Sequence, residues 1–224
     1  FSVAQTSAKV IGIKDGDTIL ILLENKTQKT LRLAELDCPA SGQPFGKNAK
    51  KFTSDCVFGK MIKYYEINSD RYGRTIAKVY FDDKYLFEML ILESFQAGLS
   101  WECILNKRED FRKAYDNFDI EKICNYDKMK IQELLLNEKI IRNRLKINAS
   151  INNSRIFKKI QNEYGTFHEY LKSFTNDRIV YETGKTTWEL SDKISKDLKK
   201  KGMKCVGSTI IYSYLQAIGI IYSH

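Results

Sequence analysis

Lys84–Trp101, KYLFEMLILESFQAGLSW, decides the reading of this chain. At helical spacing Tyr85, Leu86, Phe87, Met89, Leu90, Ile91, Leu92 and Phe95 leave almost no polar face, and a helix apolar nearly all round is a buried one. Glu93 sits inside it, turned the same way as Leu86, Met89, Leu90 and Ala97. A buried carboxylate without partners is costly, so Glu93 is either ion-paired or serves a site. Gly98 ends the helix, and Trp101 follows.

Downstream of this stretch the chain reads as nearly all helix, with segments over Cys103–Phe118, Ile120–Asn137, Ile140–Lys159, Asn162–Phe174, Ser191–Lys201 and Thr209–Ile218. Arg178–Trp188 reads as a loop. Tyr164, Phe167, Tyr170 and Phe174 form one stripe that fits a core. Upstream the periodicity changes. Ala8–Lys14, Thr18–Leu23 and Thr30–Leu36 read as strands, with a tight turn at Asp15-Gly16. A helix runs from about Pro44 to Phe58 with Gly59 as its stop, and Met61–Ile67 and Arg74–Phe81 are two further strands. Three strands, one helix and two strands suit a small barrel of the OB type.

The 224 residues are 43% hydrophobic and 29% charged, which suits folded domains rather than a disordered chain. The net charge is +9, and both halves share it: residues 1–80 hold 13 Lys and Arg against 8 Asp and Glu, residues 81–224 hold 24 against 20. Such a balance favours polyanions, nucleic acid among them. The five cysteines are widely spaced with no C-x-x-C, which points to neither a disulfide framework nor a cysteine zinc site. No apolar run has the length of a membrane span. Phe1–Gln5, with small residues at Ser2 and Ala4, is compatible with the remnant of a secretion signal or with an arbitrary boundary.

The words LFEMLILESFQAGLSWECILNKREDFRKAYDNFD (Leu86–Asp119), IIRNRLKI (Ile140–Ile147) and ISKDLKKKGMKCVGSTIIYSYLQAIG (Ile194–Gly219) come in an order that resembles the type I 3-methyladenine DNA glycosylase family. The resemblance covers residues 82–224. It implies an all-α helix-hairpin-helix domain that hydrolyses the N-glycosidic bond of 3-methyladenine in DNA. In that reading Glu93 is the base-recognising carboxylate and Trp101 a pocket aromatic. Arg142, Arg144 and Lys146, in the word that resembles the family's DNA-facing region, hold backbone phosphates. The glycosylase needs no cofactor. Of the family's four zinc-ligand positions only His224 has a counterpart, so zinc is not expected.

Residues 1–81 carry a second ordered set: Asp15-Gly16-Asp17-Thr18, Leu31-Arg32-Leu33, Leu36-Asp37-Cys38-Pro39, Gln43-Pro44-Phe45-Gly46 and Asp70-Arg71-Tyr72-Gly73-Arg74. Together they resemble the staphylococcal nuclease family. That resemblance implies a Ca²⁺ site at Asp17 and Asp37, with the Cys38 carbonyl as a third ligand. It also implies a phosphate clamp at Arg32 and Arg74. Where the family has a water-activating glutamate this sequence has Ala40, which neither takes a proton nor orders a water.

The expected architecture is therefore α+β, a nuclease-like barrel over 1–81 and a glycosylase-like helical domain over 82–224. The partner is DNA, with no membrane and no obligate protein partner, and the chain is expected to be a monomer. The glycosylase half belongs in the cytoplasm. Two other functions stay open beside the glycosylase: Ca²⁺-dependent phosphodiester cleavage of DNA or RNA, and nucleic-acid binding by a chimera with impaired sites. The helix at Tyr85–Ala97 is expected to serve both halves, with Phe87 and Ile91 turned to the barrel and Leu86, Met89 and Leu90 to the helices.

Overall fold

Alternation of inward and outward side chains builds the first half of the molecule. The computed structural model describes residues 6–34, 38, 42–43, 46–80, 82–175, 180–182 and 186–223. Strands β1 (Thr6–Asp15), β2 (Thr18–Leu22), β3 (Gln28–Leu33), β4 (Met61–Ser69) and β5 (Thr75–Tyr80) close into a barrel, with α1 (Gly46–Val57) between β3 and β4. The order around the barrel is β1-β2-β3-β5-β4. All neighbours are antiparallel except β3 and β5, which run parallel with Leu31 opposite Thr75 and Arg32 opposite Ile76. Ala8, Val10, Ile19, Ile21, Leu31, Ile62, Tyr64 and Ala77 are buried, at the period of two a strand requires. The Asp15-Gly16 turn needs its glycine for space. A Cβ there would stand 2.8 Å from the Cβ atoms of both Ala49 and Cys38.

The chain divides into two compact units, Phe1–Asp82 and Asp83–His224. The second begins with α2 (Asp83–Gln96), whose eleven residues Tyr85–Phe95 are all buried. It continues with α3 (Trp101–Ala114), a 3-10 turn (Asp116–Phe118), α4 (Ile120–Cys124), α5 (Lys128–Leu136), α6 (Arg144–Tyr164), α7 (Phe167–Thr175), α8 (Glu189–Lys200) and α9 (Ser208–Ala217). α2 packs against α3, α6, α7, α9 and the 3-10 turn. Phe87 lies edge-on to Phe118 and Phe157, with ring centres 6.5 and 5.2 Å away. The expected split of α2 between two halves is therefore corrected at Phe87, which is enclosed by the helical unit's own aromatics.

Two further expectations change. The second unit is not all-α, because β6 (Val180–Glu182) and β7 (Ile221–Ser223) pair in parallel. Three-residue strands some forty positions apart leave no local signal, and the first falls within the expected loop Arg178–Trp188. Helix ends also move wherever a side chain caps them. Ser100 Oγ accepts from Cys103 N (3.2 Å), so α3 starts at Trp101. Asp127 Oδ1 accepts from Lys130 N (2.8 Å) and splits the expected Ile120–Asn137 helix in two. Asn143 Oδ1 accepts from Lys146 N (3.1 Å), which leaves Arg142 outside α6. Gly98 ends α2 as expected, at φ +82°. Asp83, at the start of α2, accepts through Oδ2 from Gln161 Nε2 and Phe167 N (2.7 and 2.8 Å). It so caps α7 across the unit.

Candidate functional site

Glu93 lies one turn before the end of α2 and is 3% exposed. Its Oε2 is buried and accepts no hydrogen bond among the described residues. Burial lifts the carboxyl from 4.5 to about 7. A partner-free acceptor this deep has the form of a recognition group waiting for a donor or a cation. The other buried acid of the helix, Glu88, is different. It takes Arg108 Nε at 2.7 Å and Arg112 Nε at 2.8 Å, and Arg112 Nη2 at 3.3 Å. Glu88 is ion-paired and Glu93 Oε2 has no hydrogen-bond partner among the described residues, a distinction periodicity alone does not make.

Trp101, half-buried, opens α3 three residues beyond Gly98. The turn between Glu93 and Trp101 is held from α6. Lys146 Nζ donates to Phe95 O at 2.9 Å and Ala97 O at 2.6 Å. Burial draws the Lys146 ammonium below the usual lysine range. Of the three cations expected to meet phosphate, Arg142 and Arg144 are exposed, Arg142 with Glu138 Oε1 3.3 Å away. Lys146 is turned inward to carbonyls.

The loop that joins α8 to α9 falls where the sequence left a gap between two helices, but its anchoring was not legible there. Three buried polar side chains fix the backbone of residues 203–207 from below. Asn153 donates to Lys204 O (2.7 Å) and accepts from Lys204 N (2.8 Å), Ser195 donates to Val206 O (2.7 Å) and Ser94 to Cys205 O (3.0 Å). Cys205 adopts φ +55° there. Gly207 is the N-cap of α9 and, having no side chain, makes no side-chain cap hydrogen bond to its first amides. The signal for this loop was Asn153, a polar residue on the apolar side of a long helix.

In the barrel, β3 and the start of β5 bring Arg32 and Arg74 to the first residues of β2. Arg32 Nε stands 3.5 Å from Asp17 Oδ2, and Arg74 Nη1 3.5 Å from Thr18 Oγ1, which itself donates to Asp17 Oδ1 at 2.7 Å. Arg74 Nε is held by Asp70 at 2.7 Å. Lys14, Asp15, Thr18, Thr30, Tyr72, Gly73 and Arg74 line a cavity of about 340 Å³ beside them. Asp37, Ala40 and His224 lie outside the described residues. Asp17, the described carboxylate of the expected Ca²⁺ pair, accepts from the Thr18 hydroxyl and faces the Arg32 guanidinium. Among the described residues no three His, Cys, Asp or Glu side chains gather as metal ligands. No helix among the described residues is long and apolar enough to cross a membrane.

Comparison with known proteins bears on the fold and the family. Residues 62–224 match the methyladenine glycosylase family, a match that begins in β4. The chain belongs to that family. It is similar to DNA-3-methyladenine glycosylase 1 of Escherichia coli (strain K12), with 39% identity over 149 residues, 64% of this chain and 80% of the relative. A solved structure, described as showing the structural basis of 3-methyladenine recognition by 3-methyladenine DNA glycosylase I of Staphylococcus aureus, superposes with a TM-score of 0.60. It is 34% identical and covers 62% of this chain and 78% of its own. A shorter segment is similar to the micrococcal nuclease of Shigella flexneri, 42% identical over 77 residues. That is 34% of this chain but only 44% of the nuclease.

Proposed function

We propose that this chain hydrolyses the N-glycosidic bond of 3-methyladenine in DNA. The observation that carries the reading is the buried Glu93 carboxyl with its unpartnered Oε2, set in a chain of the methyladenine glycosylase family. A base to be excised must first leave the stack. N3-methylation makes adenine cationic, and a desolvated carboxylate favours that charge and accepts the base's N–H hydrogen bonds. Trp101 offers a ring for cation–π stacking, worth about 0.5–2 kcal/mol. Water then adds its oxygen to the sugar carbon as the carbon–nitrogen bond breaks. The bond's electrons neutralise the departing base and one proton goes to solvent. Water is the only co-reactant this requires. Arg142 and Arg144 reach backbone phosphates. Incubation with methylated duplex DNA should release free 3-methyladenine at a rate proportional to protein. Binding without release would leave only a DNA-binding protein.

A second reading covers the barrel, whose strand order and single helix support the OB-type, nuclease-like assignment over residues 1–81. The convergence of Arg32 and Arg74 on Asp17 and Thr18 favours a phosphodiester-binding cluster. With Ala40 in place of an acid, the cluster binds rather than cleaves. If it does, replacing Arg32 and Arg74 together by Ala should lower the slope of log affinity against log salt by about 2, since each phosphate contact contributes about 0.9. An unchanged slope in DNA-binding titrations would remove the barrel from the DNA interface.

A further inference from the structure

We infer that Lys146 is a positioning residue that sets the spacing between Glu93 and Trp101 and ties it to the α8–α9 loop. The inference rests on those two residues forming the base pocket. The last carbonyls of a helix have no partner within it, and Gly98 turns the chain away at φ +82°. Phe95 O and Ala97 O both receive the Lys146 ammonium, at 2.9 and 2.6 Å. A cation at a helix C-terminus also complements the dipole there. The clamped stretch lies between Glu93 and Trp101 in the chain, so it decides where α3, and with it Trp101, departs from the helix that carries Glu93.

The same end of α2 has a second tether. Ser94, next to Glu93 and 3% exposed, shares its hydroxyl proton between Leu90 O of α2 at 2.8 Å and Cys205 O of the α8–α9 loop at 3.0 Å. α6 joins both ends of this arrangement, because Lys146 in its first turn holds the pocket turn while Asn153, two turns on, holds Lys204 by both backbone groups. The α8–α9 loop is thereby referenced to the pocket turn through side-chain to main-chain bonds. Two of the three ammonium protons are spent inward, which separates this role from that of a phosphate contact.

The test uses the full chain with three substitutions. Lys146→Met keeps the aliphatic stem and removes the donors, Lys146→Arg restores donors, and Trp188→Phe leaves Trp101 as the one tryptophan. In the Trp188→Phe background, without DNA, Lys146→Met should shift Trp101 emission and Lys146→Arg should bring it back towards the parent. On methylated duplex, Lys146→Met should lower kcat by about 10- to 100-fold, the scale of an ångström-level misplacement. KM and the salt slope of DNA binding should stay as in the parent. A salt slope lowered by about 1 with kcat and emission unchanged would make Lys146 a phosphate contact and overturn the inference, as would unaltered behaviour in every readout. The emission arm needs no catalysis, so a failure of the glycosylase reading leaves it interpretable.

Discussion

Glu93→Gln is expected to stabilise the protein at pH 8 by on the order of 2–3 kcal/mol and to leave it unchanged near pH 4. The carboxyl's ordinary value of 4.5 is lifted to about 7 by burial. Between those values the folded chain keeps a proton that the unfolded chain has released. Rising pH therefore favours the unfolded form across this window, and the loss is complete above about pH 7. Glutamine matches the volume and cannot ionise, so the variant lacks that slope. Function should move the other way. The charge that destabilises the empty protein is the one that favours a cationic base, and removing it should slow release of 3-methyladenine at pH 8 by roughly 10²-fold, as loss of one focused electrostatic contact does. Wild-type release should rise as pH climbs towards 7. Thermal unfolding of both proteins from pH 4 to 8, beside base-release rates, checks both halves. Parallel stability curves would mean that Glu93 is solvated or paired after all.

Glu88→Ala is expected to cost about 3–5 kcal/mol, the usual result of breaking a buried ion pair on one side. Glu88 is 4% exposed, and Arg108 at 7% exposure would keep its charge with its closest counter-ion gone. Arg112→Ala should cost clearly less, because Arg108 still neutralises the carboxylate and Arg112 is more open to solvent. Replacing Glu88 and Arg108 together by apolar residues of similar volume should recover much of the loss. A chemical-denaturation double-mutant cycle measures this. Near-equal losses for Glu88→Ala and Arg112→Ala would show that the carboxylate has water access.

What the sequence allowed one to read follows from where the information is local. The barrel strands, the stop at Gly59, the enclosed helix and its end at Gly98 depend on period and on single residues, and they stand within a few positions of expectation. The breaks at Asp127 and Asn143 depend on capping side chains that periodicity overlooks. The pairing of β6 with β7 and the clamp of Asn153 on Lys204 depend on tertiary proximity, which short words do not encode. At the candidate site, Glu93 announced itself by lying among apolar neighbours, whereas Glu88 in the same helix looked no different until Arg108 and Arg112 were placed opposite it. Lys146 was readable as a cation near DNA-facing text. Its inward aim was not, because that needs the end of α2 beside the start of α6.

Eleven consecutive positions of α2 have no exterior. On most helices a lineage accumulates neutral change along the solvent stripe, so two descendants share one face and differ on the other. Here no such stripe exists, and almost every exchange meets a neighbouring helix. The segment is thus bound to diverge slowly whatever its chemistry. Glu93, an acid where packing alone would prefer a hydrocarbon, is the position in this segment that packing does not explain.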